Sequence, residues 1–131
     1  MFICEFCFKG VMTYVDGFVL PVPKKNLKRY RKMASDAEKV WRRHGALDYK
    51  ECVAEDVKIK GVIPFTRLAK CKPGETVVFA FIVYKSRAHR DKVNKGVMAY
   101  FAKKYDDAAQ ADMPFDMKRI AYSGFKTIVG K

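Results

Sequence analysis

Proline and glycine are scarce in this chain, five and eight residues of 131. With half of the residues hydrophobic, that scarcity excludes collagen-like, low-complexity and disordered classes. No apolar run approaches the roughly 20 residues that cross a bilayer, so no membrane partner is expected. No N-x-S/T sequon occurs. The only histidines are His44 and His89, and the cysteines are Cys4, Cys7, Cys52 and Cys71. Cys4 and Cys7 form a lone C-x-x-C, without the second pair or the histidine spacing of a zinc site. P-loop, GxGxxG, HExxH, GxSxG, EF-hand and RNP1 spacings are all missing. No metal and no cofactor is therefore expected, and the thiols read as reduced cysteines of a cytoplasmic protein.

Acidic residues are also few. Fourteen Asp and Glu stand against 27 Lys and Arg, a net charge of +13. Such a balance favours anionic partners, from small molecules to nucleic acid. Charge alone supplies neither a groove nor a stacking platform.

What is present is a chain long enough for one domain with its own core. Residues 14–20 alternate as a strand, and Pro21 and Pro23 are expected to stop it. One side of that strand carries Val15, Gly17 and Val19; the other carries Tyr14, Asp16, Phe18 and Leu20. From Lys24 to His44 the apolar period becomes helical, through Leu27, Tyr30, Met33, Ala34, Ala37, Val40 and Trp41. The rest of that helix is basic, with nine Lys and Arg against Asp36 and Glu38. Gly45 is a natural stop. Residues 46–53 alternate as a second strand. Residues 54–73 read as a long connection that could carry a short edge strand near Val62–Phe65. Glu75–Tyr84 is β-branched, aromatic and nearly all apolar, the mark of a central strand. Ser86 is placed to cap a second helix running to about Tyr105. Residues 118–129 alternate as the last strand, with Gly124 at a candidate bulge.

The order is β-α-β-β-α-β, an α+β, ferredoxin-like arrangement with two helices on one face of a four-stranded antiparallel sheet. Tyr14, Phe18 and Leu20 are expected on the face without helices. That face is then too apolar to stay wet, and self-association through it, as a homodimer, is expected.

Several runs occur together in order: YVDGFVLPVPKKN, VWRRHGALDYKECV, SRAHRDKVN, and MPFD followed by SGF. Together they resemble the YbaA-like family of bacterial conserved proteins of unknown function. The likeness runs from Met12 to about Val129. The resemblance implies a dimeric α+β barrel, in which two ferredoxin-like sheets close face to face. It implies no established activity. Residues 1–11 have no counterpart in it and are expected to be an extension upstream of a start at Met12, with 12–131 as the single domain.

Two constellations are candidate sites. Arg87, His89 and Arg90 open the second helix, where free N–H groups favour an anion and cations are locally unfavourable. With the first and third strands taken as parallel, Lys24 and Lys25 would share that pole as further anion-binding residues. His44 would then lie a helix length away from His89. The second is Asp16 on the aromatic face, a candidate catalytic acid or base in a desolvated pocket. Tyr14, Phe18, Tyr49, Glu51 and Tyr122 are its candidate pocket neighbours. The expected function is a cytoplasmic homodimer that binds a small organic ligand, anions included, in the internal pocket of the barrel, with turnover left open. The alternatives are a basic RNA-associated protein and a purely structural dimer.

Overall fold

The computed structural model describes residues 12–107 and 112–130. The expected extension 1–11, with Cys4 and Cys7, lies outside them. Strand β1 spans Tyr14–Pro23, helix α1 Leu27–Arg43, β2 Asp48–Val53, β3 Glu75–Tyr84, helix α2 Arg87–Lys104 and β4 Ala121–Lys126. The four strands form one antiparallel sheet in the order β2-β3-β1-β4. This is the α+β, ferredoxin-like βαββαβ arrangement. Among the described residues no helix is long and apolar enough to cross a membrane.

Local chemistry marks one end of each long helix. The Ser86 hydroxyl accepts from the His89 backbone N–H at 3.1 Å and caps α2. At the other end of α1, Gly45 takes φ +114°, a conformation a side chain would resist. A 3-10 turn, Lys24–Asn26, leads into α1.

Two strand limits differ from expectation. Pro21 does not end β1: it pairs with Val77, and the strand runs on to Pro23, its last residue, which pairs with Glu75. Strand β4 accompanies β1 only from Tyr14 to Val19. Beyond Val19 one edge of β1 is free, so a residue without an N–H loses no ladder bond there. Strand β4 is shorter than the alternating run, with a 3-10 turn at Met117–Arg119 before it. Gly124 is no bulge, since it pairs in regular register with Asp16. It is glycine because a Cβ would run into the phenol of Tyr14. The connection 54–74 carries a single helical turn, Phe65–Leu68, in place of a strand.

The core lies between helices and sheet. One cluster joins Val40, Ala46, Tyr49, Ile82, Tyr84, Val93 and Val97; the other joins Leu20, Val22, Tyr30, Ala34 and Val78. The face assignment of β1 is thereby reversed. Tyr14, Asp16, Phe18 and Leu20 point to the helices, and Val15, Gly17 and Val19 point away. The reason is register. Asp16 and Leu20 sit opposite Ile82 and Val78, which are core residues of the central strand. The helix-free face is apolar all the same, through Val15, Val19, Phe79, Phe81, Val83 and Phe125. Phe79 is 42% and Phe125 57% exposed. Phe65 packs edge-on against Phe79 at 6.0 Å and covers part of that face.

Strands β1 and β3 are antiparallel, not parallel. The helices therefore start at opposite ends of the sheet. Lys24 and Lys25 follow Pro23, which pairs with the first residue of β3; Arg87, His89 and Arg90 follow the last. A shared basic pole does not form. His44 instead ends α1 next to the start of α2. A side chain at Gly45 would meet His89 Nε2 at 3.2 Å, and the His44 ring lies against Gly96.

Candidate functional site

Two carboxylates stand on the helix side of the sheet. Strand alternation puts them there: Asp16 of β1 faces Ile82, and Glu51 of β2 faces Ala80.

Asp16 is fully buried. Arg90, in the first turn of α2, donates through Nη1 to Asp16 Oδ1 at 2.7 Å and to the Tyr122 hydroxyl at 2.7 Å. Its Nε donates to Asp91 Oδ1 at 2.7 Å. The guanidinium lies 5.0 Å from the centre of the Tyr14 ring. Tyr122 stacks on Phe18, with centroids 4.8 Å apart and planes at 21°. Burial and the Asp16 charge raise the Tyr122 phenol above its ordinary value, so it keeps its proton at neutral pH. Asp16 Oδ2 is buried and accepts no hydrogen bond from the described residues. Beside it, Trp41, Tyr84 and Asn94 close a hydrogen-bonded triangle of 3.0–3.1 Å.

Glu51 is satisfied on both oxygens. Tyr30 of α1 donates to Oε1 at 2.5 Å and Tyr49 to Oε2 at 2.6 Å. Burial, then the Glu51 charge, pushes both phenols far above the ordinary tyrosine value. The pair floors a groove of about 770 Å³ between α1 and β2. Leu27, Ala34 and Val78 supply apolar wall, and Lys28 and Arg31, both exposed on α1, stand at its rim.

The sequence-predicted residues thus divide between places. Asp16, Tyr14, Phe18, Arg90 and Tyr122 come together. Tyr49 and Glu51 belong to the other carboxylate. Arg87 is exposed on the first turn of α2. His89 is structural in its contacts, since Nδ1 accepts from the Lys85 backbone N–H at 2.9 Å. Burial, then Lys85 and Lys92, holds His89 below its ordinary value. Lys25 borders a smaller recess of about 460 Å³ with Lys72 and Glu75 at the far end of the sheet. Tyr30, Lys28 and Arg31 were not among the predicted site residues. Tyr30 lies on the apolar stripe of α1, and nothing local announces its bond to a strand residue 21 positions on. Among the described residues no group of three or more His, Cys, Asp or Glu could hold a metal ion.

A family model described as "Protein of unknown function (DUF1428)" matches residues 13–117. The chain belongs to this family. The DUF1428 match contains Asp16, Tyr30, Glu51 and Arg90 and ends before Tyr122. "Uncharacterized protein YbaA" of Escherichia coli strain K12 is 40% identical over 119 residues, covering 90% of this chain and 98% of the relative. A protein of the same description from Shigella flexneri matches equally. Among solved structures, the de novo designed protein Foldit4 aligns over 91% of this chain and 99% of its own, at 12% identity and a TM-score of 0.40. That likeness is too distant to inform the reading of this DUF1428 chain.

Proposed function

We propose that this DUF1428 protein is a cytoplasmic homodimer that binds a small organic anion in the groove between α1 and β2. The groove itself carries the reading. It has ligand-sized volume. Its floor is the Glu51 carboxylate, whose negative charge is shared through hydrogen bonds from two neutral phenols, and its wall is apolar. Lys28 and Arg31 at the rim supply the charge for a carboxylate or phosphate whose carbon skeleton lies on the wall. The helix-free face supports a second copy, because six apolar side chains in one patch are a poor surface to leave in water.

A thermal-shift titration with small organic acids and phosphate esters tests the ligand. Binding to the native state raises the melting temperature, and the rise grows with the logarithm of ligand concentration above the dissociation constant. Lys28→Ala with Arg31→Ala should abolish the shift and leave the unliganded melt near its original value, since both side chains are exposed. No shift with any anion overturns the reading. A salt-sensitive shift with short RNA and none with the acids transfers it to an RNA-associated protein. Light scattering tests the assembly. Phe79→Glu, at an exposed position of the apolar patch, should yield a folded monomer, and a wild-type monomer at micromolar concentration overturns the dimer.

A further inference from the structure

Strand β2 is an edge of the sheet, in the order β2-β3-β1-β4. Its register with β3 is regular from Asp48 to Val53, with no proline in it. Just past it, the Ala54 N–H donates to the Val77 carbonyl of β3 at 3.0 Å. Backbone groups alternate in direction along an antiparallel strand. The N–H and C=O groups of Val53, Glu51 and Tyr49 therefore point away from β3. The Tyr49 carbonyl agrees, since it accepts from Arg42 of α1 at 3.4 Å. Glu51 and Val53 present their backbone groups at the open edge.

The anion groove lies along this same edge. Tyr49, Glu51 and Val53 stand on the helix side with Ile82, Ala80 and Val78; Lys50 and Cys52 stand on the other side with Phe81 and Phe79. Both sets line the groove, so it wraps round the edge of β2. The strand has six residues, a length of roughly 20 Å, which is more than a small acid spans. Natural edges are guarded by charged side chains, prolines and bulges. Here the charges are turned aside. Lys50 donates to Asp48 of its own strand at 3.0 Å, and Tyr30 and Tyr49 hold the Glu51 carboxylate. Glu38, also in the groove, is paired with Arg42 at 2.9 Å. Lys28 and Arg31, about one turn apart on α1, form no ion pair among the described residues.

We propose that the groove takes an extended acidic peptide segment of another protein, added to β2 as a fifth strand. The proposal rests on the groove reading for its cation pair and adds the strand edge to it. The peptide backbone exchanges hydrogen bonds with Glu51 and Val53, which supplies affinity without regard to sequence. Its side chains alternate. An acidic one meets Lys28 and Arg31, and apolar ones two residues away on the same face meet Leu27, Ala34 and Val78.

The test titrates a capped heptapeptide, Ac-TVTETVT-NH2, into the full chain and follows amide hydrogen exchange by NMR. Saturable binding is expected, with slowed exchange at the Glu51 and Val53 amides. The Lys50 and Cys52 amides face β3 already and should not change. Two peptides N-methylated on alternate residues, one in each phase, should differ, because only one phase removes the N–H groups that face β2. Glutamine in place of the peptide's glutamate, or Lys28→Ala with Arg31→Ala, should weaken binding several-fold. Val53→Pro removes an outward N–H that β3 does not use, so the fold should persist by circular dichroism. It should weaken the peptide several-fold and leave a thermal shift with glutarate unchanged. If that variant does not fold, the methylated pair decides. The proposal is overturned by no saturable binding at millimolar peptide, by binding without slowed exchange at Glu51 and Val53, or by equal binding of the two methylated peptides. With any of these, a glutarate shift that Lys28→Ala with Arg31→Ala abolishes would keep the groove reading and sink the peptide alone. No response to either probe overturns both.

Discussion

Asp16 and Glu51 are two carboxylates on one side of one sheet, and they are stabilised by opposite means. Glu51 is held by two neutral donors, one on each oxygen, on an edge strand that water still reaches. Asp16 is held by one cation on one oxygen, in a place water does not reach. Phenols can share a negative charge without being left charged themselves. A guanidinium cannot leave without stranding the carboxylate it served. The two sites should therefore respond very differently to the loss of a partner, and substitutions can break or sharpen that contrast.

The largest effect is expected at Arg90. Arg90→Met leaves a buried, uncompensated carboxylate and should cost about 3–5 kcal/mol in denaturant unfolding. Adding Asp16→Leu should restore most of that stability, because the pair is replaced by apolar volume. If the double variant is as unstable as Arg90→Met alone, the cost lies in lost packing and the charge argument fails.

At the other carboxylate the same experiment should be mild. Tyr49→Phe or Tyr30→Phe removes one donor from Glu51 and should cost about 1 kcal/mol. The remaining phenol and water continue to solvate the charge. A loss as large as that of Arg90→Met would show Glu51 to be as isolated as Asp16.

Next in size is a pH effect that starts beside Arg90. His89 is depressed by burial and by Lys85 and Lys92, so the folded state disfavours its protonated form. Its contribution is fully present above the unfolded value of about 6.5 and is lost as pH falls through the lower folded value. Thermal melts should weaken across that window by less than about 1 kcal/mol, and His89→Gln should flatten the slope. Stability that grows on acidification would mean that the imidazolium gains a partner.

The smallest effect is expected at a third, peripheral carboxylate. Arg119 donates to Glu75 at 2.7 and 2.9 Å. The guanidinium and the Lys72 backbone N–H hold the Glu75 carboxyl down at about 2. This stabilisation is complete above the unfolded value of about pH 4.3 and is lost as pH falls toward about 2. The site is near the surface, so Arg119→Ala should remove only a small stabilisation, and only above the acid range.

How far each feature could be read from the chain follows its range in sequence. Asp16 was visible as a lone acid between aromatics, yet its face was misread. Alternation says which residues share a side of β1, but not which side the helices choose. Arg90 was visible as a cation at a helix start where the dipole disfavours it. Its real partner lies 74 residues away, on a strand whose direction decides which helix end comes near. Taking β1 and β3 as parallel sent Lys24 and Lys25 to the wrong end and parted His44 from His89. Tyr30 gave no sign at all, since a buried tyrosine on an apolar stripe looks like any other core residue until its hydroxyl is traced.

Local chemistry alone thus determined the βαββαβ order, the Ser86 cap, the Gly45 stop and the central place of Glu75–Tyr84, because period, capping and propensity act within a few residues. Only the tertiary structure decided which face of the sheet meets the helices, which ends of α1 and α2 lie together, and which phenols and cations reach Asp16 and Glu51. Those outcomes depend on strand direction and on a register in which a slip of one residue sends every side chain to the opposite face.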